Sequence, residues 1–262
     1  MRVPLNFHRE GSGEPLVLLH GIGSRWEIWK PVLGRLAPRR DVLAVDLPGF
    51  ADSPMPPGPP PPGTDSLTRL ISTWLDELGL ERPHVAGNSL GGLISLELAK
   101  RDRVRSATAL SPAGFFNGPE AAGAGAALWL GVRAARWAAP RAQTLMTPRL
   151  RRQLALGALF AHPTRMPAQD AAANLRALAA APWFDATLPA ITSERFRGGE
   201  RITVPVTIAW GARDHLLAPR QARRAATAIP HARVIELPGC GHVPTYDDPE
   251  LVASVLLAGS AV

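Results

Sequence analysis

The chain of 262 residues has a single cysteine, Cys240. No internal disulfide can form from it, and a multi-cysteine metal site is excluded. A lone thiol fits a reducing compartment, so a cytoplasmic location is the expectation. The first residues, Met1-Arg2-Val3-Pro4-Leu5-Asn6-Phe7-His8, lack the apolar centre of a secretory signal, and none is expected. No run approaches the ~20 uninterrupted apolar residues of a membrane span. Neither an H-E-x-x-H zinc motif nor a G-x-x-x-x-G-K-[ST] phosphate loop occurs, so no metal and no cofactor are expected. No internal repeat is found. The formal net charge is +7. Much of it is arginine scattered along helical stretches, without a block of like charges or interleaved aromatics, which reads as a solvated surface and against a nucleic-acid or membrane role.

What is present is enough apolar material, 46% of the residues, for one α/β domain carrying an insert. Val3 to His8 alternates apolar and polar, as an edge strand does, before turn chemistry at Glu10-Gly11-Ser12-Gly13. Leu16-Val17-Leu18-Leu19 and Val42-Leu43-Ala44-Val45 are continuous apolar runs, the pattern of strands buried on both faces. Trp26 to Leu36 has helical spacing. Pro54 to Pro62 predicts an extended surface loop, followed by a helix from Ser66 to Leu78. Val104 to Leu110, Val204 to Trp210 and Ala232 to Leu237 are further strand-like runs. Helices are predicted over Leu90 to Arg101, Pro219 to Ala228 and Asp248 to Leu257. Alternation of strand and helix predicts a mostly parallel, doubly wound sheet of seven to eight strands. Residues 115–199 break the pattern. They are rich in alanine, leucine and arginine, contain no strand-like run and are too long for a plain loop. We read them as a helical cap inserted into a core formed by residues 1–114 and 200–262.

One stretch stands out, His84-Val85-Ala86-Gly87-Asn88-Ser89-Leu90-Gly91-Gly92. A serine lies between two glycines where an apolar run gives way to a helix. That is the pattern of a strand-to-helix elbow, which projects the hydroxyl from the top of a sheet. Two more polar residues follow strand-like runs: Asp214 after Trp210-Gly211-Ala212-Arg213, and His242 after Gly239-Cys240-Gly241. A serine hydroxyl needs an imidazole to take its proton, and the imidazole needs a carboxylate to fix its tautomer. Asp247 and Asp248 are alternative carboxylates. His20 follows a strand and is expected to form structural hydrogen bonds, and Cys240 reads as a packed thiol.

These motifs, with His20-Gly21, Asp46-Leu47-Pro48-Gly49-Phe50 and the closing Asp248-Pro249-Glu250, resemble those of the α/β-hydrolase fold superfamily. The resemblance covers nearly the whole chain outside the insert. It implies Ser89 as nucleophile, His242 as general base and acid, and Asp214 as the orienting acid. It also implies an oxyanion hole from the backbone N–H groups of Ile22 and Leu90. Two departures are Ala51, where glycine is frequent, and a short N-terminal region that points to seven good strands. The expected activity is hydrolysis of a carboxylic ester of a small or medium apolar substrate through an acyl-enzyme. Carbon–carbon bond hydrolysis of the meta-cleavage product type is the alternative, since Gly87-Asn88-Ser89 resembles that branch whereas Val243 departs from it. Cofactor-free haloperoxidase or perhydrolase chemistry could use the same three residues, and a non-catalytic ligand-binding role is a further reading. The cap's aromatics suggest a substrate pocket lined by Phe115, Trp129, Trp137 and Trp183.

Overall fold

The computed structural model describes residues 4–55 and 63–261; Val3 and most of the Pro54–Pro62 stretch lie outside them. Seven strands form one sheet: β1 (Phe7–Gly11), β2 (Pro15–Leu19), β3 (Asp41–Val45), β4 (His84–Asn88), β5 (Ser106–Leu110), β6 (Val206–Gly211) and β7 (Arg233–Leu237), in the order β1-β3-β2-β4-β5-β6-β7. β1 runs antiparallel to β3, with Phe7 opposite Val45. Every other pairing is parallel. Each residue of β3 through β6 is buried. Burial on both faces is why a stretch such as Val42-Leu43-Ala44-Val45 is continuously apolar, while Thr108 and Thr207 are buried polar exceptions. The edges are different. β1 carries exposed Arg9 and Glu10, and β7 carries exposed Arg233 and Glu236, charges that discourage edge-to-edge pairing.

Alternate strand residues feed two cores. Val17, Leu19, Leu43 and Val45 enter one together with Ile71, Trp74 and Leu96. Leu16, Leu18, Val42 and Ala44 enter the other together with Trp29, Leu36 and Leu256. The period of two along each strand therefore places α2 (Thr64–Glu77) and α3 (Leu90–Lys100) on one face, and α1 (Lys30–Leu36) and α10 (Pro249–Gly259) on the other. The helical spacing from Trp26 to Leu36 resolves into a 3₁₀ turn over Trp26–Trp29 followed by α1. Pro31 sits in the first turn of α1, where its missing N–H costs nothing.

Between β5 and β6 the chain forms α4 (Gly118–Ala138), α5 (Ala142–Met146), α6 (Arg149–Leu156), α7 (Ala168–Ala180) and α8 (Phe184–Ser193); α9 (Gln221–Ala228) follows β6. Carboxylates moor this helical stretch to the sheet domain, Asp170 on α7 accepting from the Tyr246 hydroxyl at 3.0 Å among them. Glu120 completes a capping box with Asn117 at the start of α4 and also pairs with Arg220, at 2.6 Å, and Arg224. Burial pushes its carboxyl pKa up, but the Asn117 N–H and the two guanidinium groups outweigh that and hold it low. Glu194 accepts the N–H of Thr64 at 3.1 Å. Asp247 accepts the N–H groups of Ala161 and His162 at 2.9 and 2.7 Å.

Candidate active site

The junction of β4 and α3 holds Ser89 at φ 56°, ψ −113°, a conformation that a residue with a Cβ adopts at a cost of about 1–3 kcal/mol. Neighbouring backbone fixes it there. The Ser89 N–H donates to the Leu110 carbonyl at 3.0 Å, while its own carbonyl accepts from Leu93 at 3.0 Å and Ala113 at 3.1 Å. A Cβ on Gly87 would lie 2.7 Å from the Gly92 nitrogen, and one on Gly91 would lie 2.6 Å from the His20 carbonyl oxygen. Both flanking positions have no space for a side chain. Leu90 opens α3, so its N–H lies ahead of the helical ladder and is free to serve a ligand.

Asp214 and His242 meet beyond the ends of β6 and β7. The Nδ1–H of His242 donates to Asp214 Oδ2 at 2.8 Å. The other oxygen, Oδ1, accepts the N–H groups of Leu216 and Leu217 at 2.9 and 2.7 Å. The carboxylate is therefore saturated and aimed, and both side chains are buried. The loop that carries it is closed by the Trp210 indole, which donates to the Leu217 carbonyl at 2.9 Å. The elbow is tied to the loop of His242 by the residue before Ser89: Asn88 Nδ2 donates to the His242 carbonyl at 2.8 Å and to the Leu110 carbonyl at 3.1 Å. Ser89 itself is 8% exposed, which leaves it a narrow opening.

Ile22 lies in the loop that passes beside the elbow, where a Cβ on Gly21 would be 3.3 Å from the Ser89 Cβ. His20 braces this loop. Its Nδ1–H donates to the Gly21 carbonyl at 2.7 Å, and its Nε2 accepts the Leu47 N–H at 2.9 Å. That pattern requires a neutral ring. Burial lowers the His20 pKa, with Asp46 and the Gly21 carbonyl opposing, and burial likewise lowers that of His84, with Glu14 opposing. A histidine held neutral by folding binds fewer protons than its unfolded counterpart. Above the unfolded value of about 6.5 neither state is charged, and the stability is fully present. As pH falls below it, the unfolded chain takes protons first, so stability should drop by up to about 1.4 kcal/mol per pH unit for each such group. Urea midpoints at pH 7.5 and 5.5 measure this; equal midpoints would show that the two rings titrate normally.

The cap residues named from the sequence lie in different places. Trp183 lies against Gly49, where an added Cβ would be 2.6 Å from the indole Cγ. Phe115 is buried in the core with its ring 5.5 Å from that of Phe196. Trp129 and Trp137 are 48% and 75% exposed, which corrects the expectation that they line an enclosed pocket. The inward face of α4 is Ala121, Ala124, Val132 and Ala135, and helical geometry turns Trp137 to the opposite side. Beside the loop that carries Ile22 lie Phe184, one of the aromatics of residues 115–199, and Leu178, which spacing did not single out. A Cβ on Gly23 would lie 3.0 Å from the Phe184 ring and closer still to Leu178.

Asp247 is not the carboxylate on His242. Besides its bonds to Ala161 and His162 it accepts the Gly241 N–H at 2.8 Å, so it fixes the residue before His242. Cys240 is buried, and burial together with Asp247 and Asp248 pushes its thiol up to about 12, which leaves it protonated and unreactive. Among the described residues no cluster of three or more metal-ligating side chains occurs, and no helix is long and apolar enough to cross a membrane.

Residues 16–255 match the model of the alpha/beta hydrolase family. The chain is 29% identical over 265 aligned positions to the dihydrolipoyllysine-residue acetyltransferase component of the acetoin cleaving system of Pseudomonas putida, covering 94% of this chain but only 63% of that protein. It is 37% identical over 102 positions to a 2-hydroxy-6-oxo-2,4-heptadienoate hydrolase of P. putida, a match that covers 38% of this chain and 37% of the relative. The chain thus spans less than two thirds of each of these two relatives. A putative carbamate hydrolase of Azorhizobium caulinodans is 29% identical, over 97% of this chain and 93% of the relative. Among solved structures, the enol-lactonase of Burkholderia xenovorans LB400 shares the fold with a TM-score of 0.76 at 23% identity, over 98% of this chain and 97% of that one. A match along nearly the whole chain, over a sheet with a serine elbow between β4 and α3, makes this protein a member of the alpha/beta hydrolase family.

Proposed function

We propose that the protein is a serine hydrolase cleaving a carboxylic ester of a small or medium apolar substrate. The observation that carries this reading is the Asp214–His242 hydrogen bond of 2.8 Å, formed beside an elbow that holds Ser89 at positive φ. In the proposed cycle His242 Nε2 takes the Ser89 proton as Oγ adds to the ester carbonyl. The N–H groups of Ile22 and Leu90 receive the oxyanion. Collapse expels the alkoxide, which takes the proton from His242. Water then adds to the acyl-enzyme with His242 again as base, and the acid leaves as Ser89 regains its proton. Asp214 keeps the imidazole in the Nδ1–H tautomer and stabilises its cation. Residues 115–199 act as the lid in this reading, with Leu178 and Phe184 beside Gly23 in the loop that carries Ile22 and therefore best placed to touch the acyl group.

A second reading, hydrolysis of a carbon–carbon bond in a vinylogous diketone, is favoured by one observation: the local 37% identity to a heptadienoate hydrolase. Both readings use Ser89 and His242, so substrate decides. Initial rates on p-nitrophenyl esters of graded chain length, with a vinylogous diketone alongside, separate them. The ester reading expects kcat/KM to be highest on a short or medium ester. A diketone turned over at least ~10³-fold faster than every ester, about 4 kcal/mol of barrier, would replace it with the second.

A further inference from the structure

The net charge is not spread over the surface. Between Glu120 and Asp170 the chain carries seven arginines and no carboxylate, and the remaining 22 basic and 22 acidic residues cancel. Among the described residues, the same stretch holds five of the six large apolar side chains that are exposed: Trp129, Leu130 and Trp137 on α4, and Leu150 and Leu154 on α6. Their positions are inverted relative to a surface helix. Leu130 and Trp137, seven residues apart, point away from the buried Ala121–Val132 stripe of α4. Leu150 and Leu154, at 71% and 77% exposure, flank the side of α6 opposite its buried residue, Arg152. The Arg152 guanidinium turns inward and donates to the carbonyls of Met146 and Thr147 at 2.5 and 2.8 Å. The polar residue thus anchors α6, and the leucines are left in water. Arg133 lies 4.8 Å over the Trp129 ring, and Arg141, Arg149 and Arg151 are exposed with no ion pair among the described residues.

We infer that the exposed sides of α4 and α6 form one outer face of the cap and that this face docks on an anionic lipid surface. Tryptophan and leucine set among unpaired arginines are the composition of helices that lie in the headgroup region, with apolar side chains among the acyl chains and guanidinium groups on phosphate. Charge selects this occupant over a second copy of the chain. A two-fold contact would bring together two faces on which Arg141, Arg149 and Arg151 have no ion pair among the described residues and the nearby carboxylate, Asp185, is already held by Arg136, whereas a bilayer bearing acidic headgroups supplies the missing anions. The inference stands whether the substrate is an ester or a diketone.

The test is flotation of the full chain with vesicles of phosphatidylcholine alone and with about 30 mol% phosphatidylserine. The full chain should float with the anionic vesicles, and about 0.5 M salt should release most of it. Removing two cations in Arg149→Gln/Arg151→Gln should weaken binding ~25-fold. Leu130→Glu/Leu154→Glu should weaken it at least as much, while turnover of a soluble short ester stays unchanged in both variants. No flotation with anionic vesicles, or equal flotation of the Leu130→Glu/Leu154→Glu variant, would overturn the inference. So would a dimer seen by light scattering that the leucine variant abolishes without any vesicle binding, which would give the face to a second copy. Retention on a polyanionic oligonucleotide with no vesicle binding would overturn it in favour of nucleic acid.

Discussion

Ser89→Ala should lower kcat/KM by ~10⁴–10⁶-fold, the loss seen when a nucleophile acting with its base as a unit is removed. The protein should remain folded, within about 1 kcal/mol of the parent. The separation of the two effects is what makes the variant informative. The unusual φ of Ser89 is imposed by the bonds from its backbone to Leu110, Leu93 and Ala113, none of which involves the hydroxyl. Alanine inherits the same backbone, so strain and fold are unchanged. Only the atom proposed to attack is lost. Urea unfolding and single-turnover assays on the best ester measure the two quantities side by side. A variant retaining more than a hundredth of the parent rate would remove Ser89 from the mechanism.

Gly91→Ala should unfold the protein or destabilise it by more than about 4 kcal/mol, a loss reserved for defects that cannot relax. The added methyl would lie 2.6 Å from the His20 carbonyl oxygen and nearer still to that of Leu19. Both obstacles are backbone at the end of β2, and they can move only if β2 and α3 separate. Gly131→Ala is the control. It lies inside α4 with no atom within 4 Å of an added Cβ, and alanine there should be neutral or stabilising by up to about 1 kcal/mol. Thermal melts should place the two variants on opposite sides of the parent, Gly91→Ala lower by roughly 10 °C or more if it folds at all. Equal melting temperatures would mean that the elbow is not the tight packing point described.

The interior of the sheet was legible because a strand buried on both faces leaves a mostly apolar run, continuous in β2 and in residues 42–45 of β3 and broken only by single polar residues such as Thr108 in β5 and Thr207 in β6. Its ends were less so. Val104 is buried yet lies outside β5, which starts at Ser106, because burial and ladder pairing stop at different residues. Asp214 and His242 were visible since each follows a short strand-like run, buried in β6 and exposed at the edge in β7. Asn88 and Asp247 carry no such mark as structural links: their partners are backbone groups of His242, Gly241, Ala161 and His162, brought near only by folding. The cap aromatics misled for a packing reason. The inner face of α4, which meets α7 and α8, is built mainly of alanine. The helices there approach closely, and indoles are forced outward. Aromatic content alone does not show which way a helix is turned.

Ser89 and its elbow belong to the first half of the chain, while Asp214 and His242 arrive on β6 and β7 after all the cap helices. At a synthesis rate of ~5–20 residues per second, a ribosome exposes the serine several seconds before its partners exist. Throughout that interval the nascent chain carries an unactivated alcohol, and the sheet lacks the strands that pair outward from β5. A product aborted in the cap, or a fragment clipped there by a protease, is in the same condition. Under the proposed mechanism hydrolytic capacity appears only when the last strand docks, so incomplete copies of the protein pose no hazard to esters in the cell that makes them.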